Sequence, residues 1–275
     1  MDYVKPVDVA AMMVDTARRK LAVSPSDLII RGALAGAILG AATSLAFTGA
    51  LQTGVPLVGA LIFPVGLCII VLLGLDLVTG SFGLLPLPLL NREFSGQILL
   101  TSWAYTFIGN LIGSMAYGGL LAIVLTNFGA TAPTGVGAQI VAIAQAKTTG
   151  YAALGVAGMV TVFVKAMLCN WMVCLAIVIA MTSASTIGKI AAAWMPMLIF
   201  FGQGFEHSVV NMFVIPTGML MGAKVSMAQW WLWNQIPVTL GNIVGGFLFT
   251  GLALYVTHRP RSPAPLSSPA SVPAE

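Results

Sequence analysis

The chain has 275 residues, of which 58% are hydrophobic and 7% are charged, and its formal net charge is +4. A soluble domain carries about 25% charged residues because its surface faces water. This composition therefore excludes a soluble enzyme, a nucleic-acid-binding protein and a disordered chain. The mean hydropathy of +0.97 and the length of the apolar runs indicate an integral membrane protein.

The N-terminal segment, residues 1–26, has no signal-peptide pattern because no basic stretch leads into an apolar one. The residues from Val7 to Leu21 predict a helix that is capped near Asp8 and ends in three cations, where positive charge suits the helix dipole. Its apolar and polar residues predict an amphipathic helix lying on the cytoplasmic surface of the membrane.

Residues 27–257 form the predicted membrane domain. Six apolar segments each exceed the roughly 20 residues that a helix needs to cross a bilayer. They are Leu28–Leu51, Val55–Leu90, Gln97–Leu125, Tyr151–Met181, Ile190–Gly222 and Gln235–Val256. The tail, residues 258–275, is rich in Pro, Ser and Ala and is predicted to be disordered.

The distribution of positive charge predicts that both termini are cytoplasmic. Nine of the 12 cations then lie on the inner side, two lie outside and Lys165 lies within a span, as the positive-inside rule requires. The inner cations are Lys5, Arg18, Arg19, Lys20, Arg31, Arg92, Lys189, Arg259 and Arg261, and the outer ones are Lys147 and Lys224. We therefore expect a multi-pass protein of the cell (inner) membrane.

Two spans are interrupted, and the interruptions belong to an internal repeat. Glycines and a carboxylate break the second span around Asp76 and the fifth around Glu206, 130 residues apart. The motif GNLIG, which contains Asn110, returns as GNIVG, which contains Asn242, 132 residues later. Two copies of a three-span unit, about 27–126 and 150–257, are predicted, the second inverted because three is odd. Paired breaks in inverted halves indicate a transport site near the midplane.

Four ionisable residues lie in or beside the spans. Lys165 is too far from either end of its span to reach the headgroups, and an intramembrane charge costs roughly 2.5–3.5 kcal/mol. It either forms a buried ion pair, with Glu206 as the candidate partner, or provides a positive potential for an anion. His207 is either a satisfied core residue or a group that exchanges a proton with a solute. Asp76 and Glu206 are expected to cap the half-helices that follow them.

Neutral side chains near the breaks can serve a solute or bond to the backbone instead; they are Thr79, Ser81, Asn170, Asn211 and Asn242. The three cysteines, at positions 68, 169 and 174, lie in apolar runs without a CxxC motif. They are predicted to be buried, so we expect no disulfide, no metal and no cofactor.

Four segments resemble the signatures of the formate/nitrite transporter family. They read DLVTGS at Asp76–Ser81, KAMLCNWMVCLA at Lys165–Ala176, GFEHSVVNMFVIP at Gly204–Pro216 and PVTLGNIVGG at Pro237–Gly246. The resemblance extends from about Tyr3 to Tyr255. It implies an all-α integral membrane protein with an aquaporin-like fold of six spans, the second and fifth broken, which assembles as a homopentamer with one pore in each protomer.

The same resemblance implies roles for individual residues. The first break would be a mobile loop with a gate at Leu77, Val78 and Thr79, where Val78 replaces the aromatic residue of the formate channels. The outer apolar constriction would consist of Phe63, Leu67 and Phe200. His207 would be the central residue, with Lys165 and Asn242 as its polar surroundings.

The expected function is the passage of small monovalent weak-acid anions, formate or nitrite, rather than an enzymatic reaction. A bare anion loses its hydration at an apolar constriction, and about one formate in a thousand is neutral at pH 7. We therefore expect protonation at or near His207 and passage as the neutral acid. The alternatives are an aquaporin-type water or glycerol channel, disfavoured because Asn-Pro-Ala is absent from the sequence, and a hydrosulfide or short-carboxylate channel.

Overall fold

The computed structural model describes residues 2–259, which form helices and no strand; the only bridge recorded among them is an isolated antiparallel one between Tyr3 and Ser183. The helices are α1 (Pro6–Leu21), α2 (Pro25–Thr53), α3 (Pro56–Ile62), α4 (Val65–Leu72), α5 (Val78–Leu84), α6 (Leu87–Leu90), α7 (Gly96–Thr126), α8 (Val136–Ala146), α9 (Thr149–Ala153), α10 (Val156–Ala180), α11 (Thr186–Gly202), α12 (Ser208–Leu220) and α13 (Met227–His258). Apart from its first two residues, the predicted disordered tail lies outside the described part of the chain.

The predicted spans appear as four long helices and two broken ones. Helices α2, α7, α10 and α13 are long and apolar enough to cross a membrane. The second predicted span consists of α3 to α6 and the fifth of α11 and α12, so both predicted interruptions are present. The fourth span begins at Val156 instead of Tyr151, because Gly155 has a positive φ of 56° that separates it from the short helix α9.

Small residues bring the long helices of each repeat into close contact. A Cβ atom on Gly113 of α7 would lie 1.8 Å from the carbonyl oxygen of Ala33 on α2. A Cβ atom on Gly245 of α13 would lie 2.0 Å from the carbonyl oxygen of Met167 on α10. Membrane helices pack through such residues because lipid provides no hydrophobic force to drive helices together. Gly113 and Gly245 are 132 residues apart, so the two helix pairs are equivalent in the two repeats.

The apolar face of the N-terminal helix packs against the ends of the membrane spans. Its apolar residues, such as Met13 and Ala17, are buried in a cluster with Leu87 and Leu99 from the ends of the spans. The helix also begins earlier than predicted, because Pro6 occupies its first turn and Asp8 lies within that turn instead of capping it.

Asp2 fastens the start of the chain to the loop between α10 and α11. Its carboxylate accepts hydrogen bonds from the backbone N–H groups of Ala184 and Ser185 at 2.8 and 2.7 Å. It also accepts bonds from the hydroxyls of Ser183 and Ser185 at 2.9 and 3.1 Å. The Ser183 hydroxyl is the main cause that lowers the pKa of Asp2, and burial opposes it.

Candidate functional site

Two cavities approach each other from opposite ends of the protein. The cavity of about 410 Å³ beside α1 is named the inner cavity, and the other one the outer cavity, after the predicted cytoplasmic side of α1. The wall of the inner cavity includes Arg19, Lys20, Lys189, Leu67, Leu77 and Gly80. The outer cavity, of about 430 Å³, lies beside α8 and α9; its wall includes Lys147, Lys165, Phe200, Phe201, Glu206 and His207. Each cavity therefore has an apolar wall and more than one cation.

A buried barrier separates the cavities. Phe63, Val78 and Thr79 are buried and line neither cavity. Leu67 reaches the inner cavity and Phe200 the outer one, so these two residues of the expected outer constriction lie on opposite sides of the barrier. The barrier is apolar except for the polar groups that the two breaks bring into it.

Those polar groups are His207 and Thr79, one from each break. The Nε2 atom of His207 lies 3.1 Å from the Thr79 hydroxyl oxygen. Its Nδ1 atom accepts a hydrogen bond from the backbone N–H of Val210 at 3.2 Å, which assigns the ring proton to Nε2. The ring also stacks on Phe200 with centroids 5.7 Å apart. His207 is therefore positioned as a neutral imidazole whose donor faces the other break.

An asparagine, not a carboxylate, caps each half-helix. The Oδ1 atom of Asn242 accepts from the backbone N–H of Ser208 at 2.9 Å. Its amide donates to the carbonyl oxygens of Glu206 at 3.0 Å and Ala166 at 2.8 Å. In the first repeat, Asn110 makes the same three kinds of bond; its partners are Val78 N–H and the carbonyl oxygens of Asp76 and Gly32.

These bonds correct the capping roles that the sequence predicts for Asp76 and Glu206. Within residues 2–259, neither carboxylate accepts a backbone N–H of the half-helix that follows it, because an asparagine from another helix already does. Asn242 lies at the break, as expected, but its amide faces the backbone. Asn170 also donates to backbone, to the carbonyl oxygens of Thr79 at 3.0 Å and Asn242 at 2.6 Å.

The Glu206 carboxylate is buried in a cage of donors behind the second break. Lys147 Nζ donates to it at 2.7 Å and Asn211 at 2.8 Å. The Tyr151 hydroxyl donates at 2.8 Å, and Asn234 lies at 3.4 Å. A buried carboxylate keeps its charge when it has a cation and several donors, so this cage fixes the Lys147 ammonium at the wall of the outer cavity.

The cation that pairs with Glu206 is therefore Lys147 and not Lys165. The side chain of Lys165 is half-buried on the wall of the outer cavity, and among the described residues it forms no ion pair. In the first repeat, Lys20 of α1 donates to Asp76 in the same way. The sequence predicts Lys147 in an outer loop and gives no local sign of its pairing with Glu206.

Comparison with known proteins identifies the family. The model of the family described as "Formate/nitrite transporter" matches residues 7–256. The chain belongs to the formate/nitrite transporter family. The chain is 35% identical over 271 residues to a probable formate transporter of Methanothermobacter thermautotrophicus, covering 93% of this chain and 97% of the relative.

Two further similarities concern a nitrite transporter and a solved channel. The family member is 32% identical over 248 residues to the nitrite transporter NirC of Salmonella typhimurium, covering 88% and 87% of the two chains. It also resembles a solved pentameric formate channel with formate bound, with a TM-score of 0.68 and 27% identity over 85% of this chain and 97% of that one. These matches confirm the predicted family and the all-helical channel fold.

Proposed function

We propose that this family member forms a homopentamer in the cell (inner) membrane, with both termini in the cytoplasm, and that each protomer passes formate or nitrite. The named relatives are described as a probable formate transporter and a nitrite transporter, and the solved relative is pentameric with formate bound. The distribution of Lys and Arg supports the orientation. The partners are a small monovalent anion, a proton, lipid and further copies of the chain.

The observation that carries this proposal is the order of groups along the two cavities. Cations lie at the walls on both sides, and a buried apolar barrier with one pair of polar groups lies between them. Cations concentrate anions in a cavity with low-dielectric walls. The barrier rejects a bare charge because apolar side chains cannot replace its hydration shell.

The anion therefore crosses the barrier as the neutral acid. Lys165 attracts it from the outside, and Arg19 and Lys189 attract it from the inside. Lys147 and Lys20 do not provide this attraction because they are already paired with carboxylates. A carboxylate has a pKa of about 4, so only about one molecule in a thousand is already neutral at pH 7. Protonation at the edge of the barrier lets the abundant anion supply the flux.

His207 assists this step as a hydrogen-bond donor. Its Nδ1 atom is occupied by the N–H of Val210, so the ring has no free site that takes up a second proton. If the neutral ring gave its Nε2 proton away, it would become an imidazolate. We infer that Nε2–H and the Thr79 hydroxyl hold the acid at the barrier while water in the adjoining cavity exchanges the proton.

Flux measurements in proteoliposomes test the proposal. Uptake of formate, nitrite, hydrosulfide, lactate and glycerol is compared across imposed pH gradients. We expect formate and nitrite to pass, faster when the side that they leave is more acidic. Passage of glycerol without any of the acids would contradict the proposal. His207→Asn should slow the flux and change its pH dependence; full flux with an unchanged pH dependence would show that the imidazole has no part in the step.

A further inference from the structure

We propose that Phe201 determines how large an acid this family member passes, because it holds the ring of Phe63 across the barrier. The inference rests on the proposed function and adds a size limit to it. We expect carboxylates that carry an alkyl chain to pass more slowly than formate and nitrite, by a factor that the position of the Phe63 ring sets.

Phe63 occupies the point where the second span changes from α3 to α4. It is fully buried, and its backbone N–H bonds to the carbonyl oxygen of Gly59. The next residue, Pro64, has no N–H with which to continue the helix. The ring therefore projects from the junction of two short helices, and its neighbouring side chains determine the space in which it can turn.

Two consecutive residues of α11 provide those neighbours. The ring of Phe200 meets Phe63 edge-on, with centroids 5.4 Å apart and an interplanar angle of 89°. The ring of Phe201 stacks on Phe63, with centroids 4.1 Å apart and an angle of 17°. Edge-on and stacked arrangements are the favourable ones for aromatic pairs. Phe63 is thus clamped between two rings of one helix.

Phe201 flanks the buried Phe63 ring on the side of the outer cavity. It lies on the wall of the outer cavity and is itself in contact with Phe47 of α2, at a centroid distance of 6.3 Å. Phe200, by contrast, is buried and stacks on His207. Removing the Phe201 ring therefore creates space beside Phe63 and leaves the polar pair in place.

The consequence is a change in selectivity for size. Discrimination of one methylene in an apolar site amounts to roughly 10–200-fold. A smaller, non-planar side chain at position 201 lets the Phe63 ring turn into the vacated space, and the barrier then admits an alkyl group. Phe201 acts through Phe63, so it is a positioning residue for specificity.

The experiment compares the uptake rates of formate, acetate and propionate by purified protein in proteoliposomes. Phe201→Leu is expected to raise the ratio of propionate to formate uptake about tenfold. Phe201→Tyr retains the ring and should retain the wild-type ratio. The matched control is Phe249→Leu, which removes a ring that is 39% exposed and packs on Trp171 with centroids 5.6 Å apart.

The possible outcomes separate this inference from the proposed function. An unchanged ratio in Phe201→Leu while formate still passes overturns the inference, and so does an equal rise in Phe249→Leu. If Phe201→Leu does not assemble, Phe201→Met, which is flexible but apolar, is held to the same expectation. Failure of the wild-type protein to pass formate or nitrite contradicts the proposed function instead.

Discussion

Replacing Lys147 by methionine removes the cation that faces the Glu206 carboxylate at the second break. The side chain of Glu206 is 2% exposed and that of Lys147 is 17% exposed. Removing one partner of a buried ion pair costs about 3–5 kcal/mol because the remaining charge is left uncompensated. Tyr151 and Asn211 still donate to the carboxylate, so we expect a loss near 3 kcal/mol, the lower end of that range.

A second variant tests whether the uncompensated Glu206 charge causes this loss. Lys147→Met combined with Glu206→Gln removes both charges. The new amide nitrogen can face the Tyr151 hydroxyl, which accepts as well as donates. Because this pair of changes leaves the net charge of the outer cavity as in the wild type, we expect the double variant to recover most of the stability and most of the formate uptake. Lys147→Met alone leaves a net negative charge that repels the anion, so its uptake should fall about tenfold, equivalent to about 1.4 kcal/mol.

Thermal unfolding of the purified protein and formate uptake into proteoliposomes measure these two effects. A loss of 3 kcal/mol corresponds to a fall in Tm of roughly 6–12 °C. Lys224→Met, which removes an exposed lysine, is the control and should change neither quantity. The reasoning is refuted if the double variant is as unstable as the single one, or if Lys147→Met takes up formate at the wild-type rate.

Three further predictions concern the asparagine cap of the second half-helix, the barrier and the N-terminus. Asn242→Leu leaves the buried N–H of Ser208 and the carbonyl oxygen of Glu206 without partners, at about 1–3 kcal/mol each, so its Tm should fall much further than that of Asn91→Leu, an exposed amide; equal Tm values would count against the capping role of Asn242. Thr79→Val removes the hydroxyl that faces the imidazole and should slow formate uptake, with a small fall in Tm because the buried Nε2–H loses its partner. The pKa of Asp2 lies below its ordinary value of 3.8 because a serine hydroxyl donates to it. Its contribution is therefore present above pH 3.8 and lost as the pH falls through the lowered pKa. Limited proteolysis of the N-terminal segment should increase below that pH, and Asp2→Asn should show the increase already at neutral pH.

Hydropathy and glycine positions were sufficient to predict the spans and their breaks. A segment that crosses lipid must be long, apolar and internally hydrogen-bonded, and α2, α7, α10 and α13 satisfy those conditions locally. The repeat was also visible, because Asn110 and Asn242 occupy equivalent positions in equivalent motifs.

Partners that are distant in sequence were not predictable in the same way. Ser208 is capped by a residue 34 positions away, whereas the nearby Glu206 carboxylate is the locally obvious cap. Lys147 and Glu206 are 59 residues apart, and nothing in the loop around Lys147 shows that its side chain turns inward. The repeat did contain one signal: Lys20 and Asp76 precede Lys147 and Glu206 by nearly the same interval, so either pair points to the other.

The equivalent asparagine caps at Asn110 and Asn242 have a consequence for the direction in which a solute flows. On each face of the bilayer a solute meets a lysine–carboxylate ion pair and a cavity. Beyond each cavity lies a half-helix capped by an asparagine. A pathway with equivalent groups at both ends has no structural preference for one direction of transport. The concentrations on the two sides then decide whether a cell uses it for import or for export.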